Sequence, residues 1–439
     1  MVIERSNRLL RLALALCALL FTLPAAAMAP IEHWRTDNGA RVYFVPAPEL
    51  PMVDVQIVFN AGSARDGDSP GLAQLTHVLL DKGADGLSAD AIAQRLEGVG
   101  ARLGGDSLRD MALLRLRSLS DPKYLQPAVE VFAKVVAKPD FNTADLERER
   151  ARMLVALQHA QQQPGEVAEK AFYAGLYGEH PYAAPPDGTA ESLKALEREH
   201  LRAFHDRYYV ARNAVVAIVG ALDRAAAERL AVTVTRALSA GEPASALPAV
   251  SDLPVAQDQR IGHPSSQTHI LIGQPGMRRD DPDYFALYVG NHVLGGGGLV
   301  SRLSNEVREK RGLSYSVYSY FLPMAERGPF QMGLQTRNDQ ADEAVRVLRE
   351  TLAAYVAEGP TAAELEAAKN NITGGQALRI DSNRKILEYL AVIGFYDLPL
   401  DYLETFNAKV EAVTLAQVRE VFQRRIRPER MLTVRVGGE

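Results

Sequence analysis

The amino-acid sequence predicts an α+β protein of two homologous halves, each an antiparallel-rich sheet covered by helices, joined by a linker. Three observations carry this. A Pro/Ala/Ser-rich stretch, residues 239–258 with Pro243, Pro248 and Pro254, divides the 439 residues into parts of similar size. Both parts close with a helical pattern followed by a strand, and the two closing segments align without a gap. Arg202 meets Arg419, Arg207 meets Arg424, and Val219-Gly220 meets Val436-Gly437. Both parts also run from strands to paired helices before that closing strand, the order of an α+β unit.

The elements follow in turn. Arg41 to Val45 and Val53 to Phe59 are β-branched and apolar, as is Thr268 to Gly273 after the linker. Hairpin-like pairs come next: Ala101 to Gly105 with Met111 to Leu116, and Ser314 to Tyr320 with Pro329 to Gln335. Helical periodicity spans Asp145 to Gln161 and Pro164 to Leu176 in the first half. In the second it spans Asp339 to Ala357 and Ala363 to Gln376. The expected domains are 30–238 and 259–439.

The N-terminus reads as a secretory signal over residues 1–29. Arg5, Arg8 and Arg11 form a basic segment, Leu12 to Leu23 an apolar one too short to span a bilayer comfortably, and small residues follow. Cleavage fits after Ala27 or Ala29, and Leu16 before Cys17 argues against a lipid anchor. Cys17 is the only cysteine, so the exported chain has no disulfide, thiolate metal site or cysteine nucleophile. The expected compartment is the periplasm. A net charge of -5 without any Lys/Arg-rich run argues against a nucleic-acid partner, and no later segment is apolar enough for a membrane span.

Residues Gly71 to Gly83 read Gly-Leu-Ala-Gln-Leu-Thr-His-Val-Leu-Leu-Asp-Lys-Gly. The frame resembles the zinc helix of the pitrilysin/insulinase-type metallopeptidases, whose inverted motif H-x-x-E-H sits in G-L-A-H-x-x-E-H-x-L-x-x-G. Here Gln74 stands at the first histidine, His77 at the glutamate and Val78 at the second histidine. Two imidazoles at i and i+4 share a helix face and bind one ion together; an amide and an isopropyl group do not. Other segments are similar to the family's in order and spacing. They are His180-Pro181-Tyr182 with Gly188-Thr189, Phe204 to Gly220 through Tyr208, Tyr209 and Asn213, and Gly295 to Tyr315. The resemblance implies a third ligand, a glutamate on a later helix, at a position occupied here by Ala156. No metal site and no catalytic residue is therefore expected in this chain, and zinc only in a partner.

No substitute chemistry stands out. None of the nine histidines lies in H-x-x-E-H or H-E-x-x-H, and His200 and His205, five apart, diverge on a helix. His77 reads as a structural histidine, since a base needs an activated water. Gly295 to Gly298 lacks a following Gly-Lys-Ser/Thr, so it is either a turn between helices or backbone that lies close to a bound peptide. No G-x-S-x-G elbow is present.

Arg308 and Tyr315 remain. The resemblance implies that this pair reaches toward the zinc site of an opposing half, holding substrate and stabilising the tetrahedral intermediate. A guanidinium donates to peptide carbonyls and a phenol to a developing oxyanion. The plain reading is a solvated helix-end charge and a half-buried strand residue. The expected function is a non-catalytic, substrate-binding subunit of a heterodimeric periplasmic zinc metallopeptidase. Its partner would be a homologous subunit carrying H-x-x-E-H, and the mitochondrial processing peptidase divides labour in this way. The alternative is a catalytically inactive, peptide-binding homodimer or chaperone-like protein.

Overall fold

The computed structural model describes residues 30–438, which build two large sheets and a short two-stranded ribbon, Gly83–Ala84 with Leu87–Ser88. The expected signal segment, with Cys17, lies outside them. The first sheet contains β1 (Glu32–Arg35), β2 (Arg41–Pro46), β3 (Met52–Phe59), β4 (Arg102–Ser107), β5 (Ala112–Leu119) and β6 (Ala214–Gly220). The second contains β7 (Gln257–Ile261), β8 (Gln267–Pro275), β9 (Val317–Phe321), β10 (Pro329–Arg337) and β11 (Leu432–Val436).

Without β1, the spatial order β2-β6-β3-β5-β4 repeats as β7-β11-β8-β10-β9. In each sheet the last strand in sequence slots between the first two. β6 runs parallel to β2 and antiparallel to β3; β11 runs parallel to β7 and antiparallel to β8. The other pairs are antiparallel. The weak sequence repeat is therefore a repeat of topology, and both expected hairpins form, as β4-β5 and β9-β10.

The expected helices also form. Those used below are α1 (Leu72–Leu79), α2 (Thr143–Gln161), α3 (Pro164–Tyr177) and α4 (Asn383–Phe395). Proline at the first turn opens α3 and Gly178, at positive φ, ends it. Ser382 caps α4. Among the described residues no helix is long and apolar enough to cross a membrane.

The two halves share their cores. β6, Ala-Val-Val-Ala-Ile-Val-Gly, is buried on both faces, the pattern of a strand covered from both sides. Val216 and Ile218 face helices of the first half. Val215, Ala217 and Val219 face α4, a helix of the second half, through a cluster holding Leu387, Leu390 and Ile393. In return α3 of the first half covers β8 and β11, with Phe172 and Leu176 against Leu271, Leu432 and Val434. Each fully buried aliphatic side chain in these faces contributes about 1.5–3 kcal/mol. Both exchanged helices approach by a glycine. A Cβ on Gly394 would lie 2.5 Å from Val215 Cγ1, and one on Gly175 would lie 2.9 Å from Leu432 Cδ2.

The Pro-rich stretch is packed rather than loose. Residues 239–256 form no helix or strand, but Val250 and Leu253 bury against Tyr173 and Tyr177 of α3. The strand β7 begins at Gln257, inside the segment expected to be linker.

A second tie between the halves is polar. The buried carboxyl group of Asp110, in the first half, accepts hydrogen bonds from Tyr182 Oη (2.6 Å), Tyr396 Oη (2.9 Å) and the Ala325 amide (2.7 Å). The last two donors belong to the second half. Asp110→Ala leaves three donors without that acceptor, Tyr182 fully buried and Tyr396 and Ala325 partly so, and a loss of about 2 kcal/mol is expected in urea unfolding, with faster cleavage between the halves in limited proteolysis. A loss under 0.5 kcal/mol, within the range of an ordinary surface change, would refute this tie.

Candidate functional site: a degenerate metal cleft

α1 is held at its start by a carboxylate and a glycine. Asp66 accepts from the Gly71 amide (2.8 Å) and the Ala73 amide (2.7 Å). Gly71 sits at φ 91°, and a Cβ there would lie 2.9 Å from Gly188 Cα. A Cβ on Gly188 would in turn meet the Pro70 carbonyl at 2.6 Å, and Ser192 Oγ donates to that carbonyl at 2.7 Å. The two glycine segments singled out in the sequence thus pack on each other. Only residues without a side chain allow that approach.

The His-Pro-Tyr segment is structural. His180 Nδ1 accepts from the Tyr182 amide (3.1 Å), so its Nε2 carries the proton donated to the Pro248 carbonyl (2.9 Å). Tyr182 reaches Asp110 as described. Asn213 donates to the Tyr208 and Asn60 carbonyls and accepts from Ala244.

α1 and α2 face each other across a cleft of about 500 Å³. Gln74, His77 and Val78 enter it from α1, Ala156 from α2, and Gly104 to Leu108 of the β4 edge form a third wall. All four positions that the family's zinc site would use therefore converge. The donor set does not fit zinc: one amide, one imidazole, one isopropyl and one methyl group. Among the described residues no three His, Cys, Asp or Glu side chains are placed to hold a metal ion.

His77 occupies space that Gly105 vacates, since a Cβ there would lie 2.7 Å from His77 Cε1. Burial lowers the imidazole's affinity for a proton, and its Nδ1 is buried without a partner. It packs as a neutral ring, in keeping with the structural reading. The sequence reading missed Glu149 and Arg152, which line the same cleft. Glu149 is 5% exposed and accepts from Arg152 Nη1 at 2.9 Å. In a run of alternating charges it resembles a solvated helix face. Its distance of seven residues from Ala156, two helical turns, is the signal that places it in the cleft.

A larger cleft of about 680 Å³ adjoins the first and shares Ser107 and Leu108 with it. Its walls come from both halves, including Leu157, Glu169 and Tyr173 of the first and Leu322, Met324 and Tyr396 of the second. Arg109 stacks on Tyr173 with its Cζ 3.6 Å from the ring centroid. β4 is the outermost strand of its sheet, so one row of its backbone groups borders both clefts without a strand partner.

Arg308 and Tyr315 lie elsewhere and line neither cleft. Gly312, at φ 61°, reverses the chain after the turn bearing Arg308. Tyr315 is 84% exposed, which overturns the half-buried reading. Arg308 Cζ stands 4.7 Å from the Tyr315 ring centroid. The turn Gly298–Val300 packs beside the segment carrying Arg308 and leaves Leu299 and Val300 exposed. Of the glycine run, Gly298 makes this turn at φ 64°, whereas Gly295 is pressed against β9, a Cβ there meeting Ser319 Oγ at 2.4 Å. The close approach is to the chain's own strand.

A family model described as insulinase (peptidase family M16) matches residues 41–189, and one described as the peptidase M16 inactive domain matches residues 195–372. An uncharacterised zinc protease of Mycobacterium leprae is 30% identical over 366 residues, covering 82% of this chain and 81% of the relative. The chain belongs to the M16 insulinase family. A crystal structure of a peptidase M16 inactive domain from Pseudomonas fluorescens is 42% identical, covers 93% of this chain and 98% of that one, and has a TM-score of 0.90. A Helicobacter pylori protease structure shares the fold at 18% identity and TM-score 0.85, over 94% of this chain and 100% of that one. With the M16 zinc positions occupied by Gln74, His77, Val78 and Ala156, this chain is a non-catalytic member.

The cleft retains the shape of a site without its donors. The combined variant Gln74→His, His77→Glu, Val78→His and Ala156→Glu restores two imidazoles on one face of α1 and a carboxylate opposite. We expect it to retain zinc through dialysis at a level approaching one ion per chain, while the unaltered chain retains almost none. Metal analysis of both decides, and equal zinc contents would contradict this account of the cleft.

Proposed function

We propose that this chain is the substrate-binding, non-catalytic subunit of a heterodimeric zinc metallopeptidase in the periplasm. A homologous subunit bearing H-x-x-E-H supplies the zinc. This chain supplies chamber wall, peptide contacts along β4, and the Arg308/Tyr315 pair. One observation carries the reading: the half-buried Arg308 stands over the exposed ring of Tyr315, yet the two border neither cleft of their own chain. A donor pair directed outward serves a site on another molecule, because a transition-state contact is useful only where a bond breaks. The exposed Leu299 and Val300 beside it give that face the apolar, tyrosine- and arginine-bearing composition of a protein contact.

The peptide-binding homodimer is favoured by a different feature, the open β4 edge bordering two clefts within a single chain. An extended peptide can add to such an edge by main-chain hydrogen bonds.

Affinity purification of the tagged chain from its native periplasm separates the two. A stoichiometric partner carrying H-x-x-E-H supports the heterodimer, and recovery of the chain only with itself supports the homodimer. In the reconstituted complex, Arg308→Ala is expected to lower turnover by about tenfold to a hundredfold without changing assembly on a sizing column, the range for losing one charge-assisted hydrogen bond to the substrate. Unchanged turnover would remove the role of Arg308.

A further inference from the structure

We infer that Arg279 and Arg379 form an oxyanion-binding site, and that its ligand is the C-terminal carboxylate of a bound peptide. The identity of that ligand rests on the peptide-binding reading above; the anion site does not.

A third cleft, of about 430 Å³, lies where the second half turns back toward the first. Arg279 enters it from the loop after β8, Arg379 from the end of the short helix Gln376–Arg379, and Lys385, Glu388 and Tyr389 from α4. Its ionic groups differ in one respect. Lys385 is paired with Asp381 at 2.9 Å, and Glu388 with Arg384 at 3.0 Å and Arg115 at 3.5 Å. Arg278, next to Arg279 in sequence, is bonded through two nitrogens to Asp280. Among the described residues, Arg279 and Arg379 have no carboxylate within ion-pair distance, although ion pairs are abundant in this chain.

The two guanidiniums share one aromatic support. Tyr284 and Tyr288 are stacked, centroids 5.8 Å apart and planes 11° from parallel. Arg279 Cζ lies 5.6 Å from the Tyr284 centroid, and Arg379 Cζ lies 6.0 Å from that of Tyr288. Arg379 also donates to Tyr288 Oη at 2.6 Å. Arg279 Nε is buried with no hydrogen-bond acceptor. A buried donor without a partner is costly, and two like charges over adjacent rings repel. One anion between them relieves both costs. The guanidinium fork matches the two oxygens of a carboxylate or phosphate.

The surroundings favour a carboxylate borne on an apolar chain. Leu378, 68% exposed, and Val392 line the same cleft. The site is also one side chain from the larger cleft. Tyr396 lines that cleft, and its ring centroid is 6.0 Å from Arg279 Cζ. A peptide lying along β4 and through the larger cleft can therefore end at the two arginines.

The test uses the full exported chain and three probes: one fluorescent peptide with a free C-terminal carboxylate, the same peptide as its amide, and inorganic phosphate. We expect the acid to bind about tenfold more tightly than the amide, as loss of a charged hydrogen bond implies. That preference should disappear in Arg279→Gln/Arg379→Gln and weaken in Arg279→Lys/Arg379→Lys, which keeps charge without the fork. Urea midpoints check folding, and the acid–amide comparison on the unaltered chain decides even if a variant is unstable. Phosphate binding that is lost in the Gln variant, with neither peptide bound, would keep the anion site, make free phosphate its source and count against the peptide-binding reading. Acid and amide bound equally, without phosphate binding, would overturn the site and leave that reading standing. An acid preference that survives in a folded Gln variant would overturn the assignment to these arginines.

Discussion

The constraint on which this molecule depends is that neither sheet can bury both of its faces with helices of its own half. β6 is apolar on both sides, and one side is covered only when α4 arrives from the far half. β8 and β11 stand in the same relation to α3. With several large aliphatic side chains on each exchanged face, separation would expose surface worth many kcal/mol. The halves are thereby held at a defined mutual placement, and both the larger cleft and the Asp110 network depend on it. Glycine at Gly394 and Gly175 sets how near the exchanged helices come.

Loss of chemistry has left this architecture intact. The glycine pair Gly71/Gly188, the Asp66 brace and the Tyr182–Asp110 bond all serve the scaffold. The degenerate positions hold side chains that pack rather than ligate: His77 fills the space over Gly105, beside the Glu149–Arg152 pair. A cleft whose walls are needed for folding persists after its donors are gone.

Much of the fold was legible in the sequence because periodicity and turn residues are local signals. The helices at Thr143–Gln161 and Ala341–Glu358, both hairpins and the closing strands were expected close to where they lie. The degenerate positions Gln74, His77, Val78 and Ala156 were legible through the spacing of a motif, and they do meet in one cleft. What escaped was everything set by distant partners. Glu149 looked like one more surface charge. The Pro-rich stretch looked like a free linker, although Val250 and Leu253 are buried. Tyr315, next to a strand, suggested partial burial and is exposed. The exchange of α3 and α4 has no local signature, since an apolar helix face does not reveal which sheet it covers.

The position of β6 and β11 between the first two strands of their sheets has a kinetic consequence. Until residue 214 has been delivered, β2 and β3 flank an empty slot, and the same holds for β7 and β8 until residue 432. Contacts of such long sequence separation form slowly, because the intervening chain must first lose its freedom. A chain threaded N-terminus first through a membrane would emerge with open, apolar strand edges and could seal the second sheet only once residue 432 had passed. Until then the open edges would be exposed to aggregation and proteolysis.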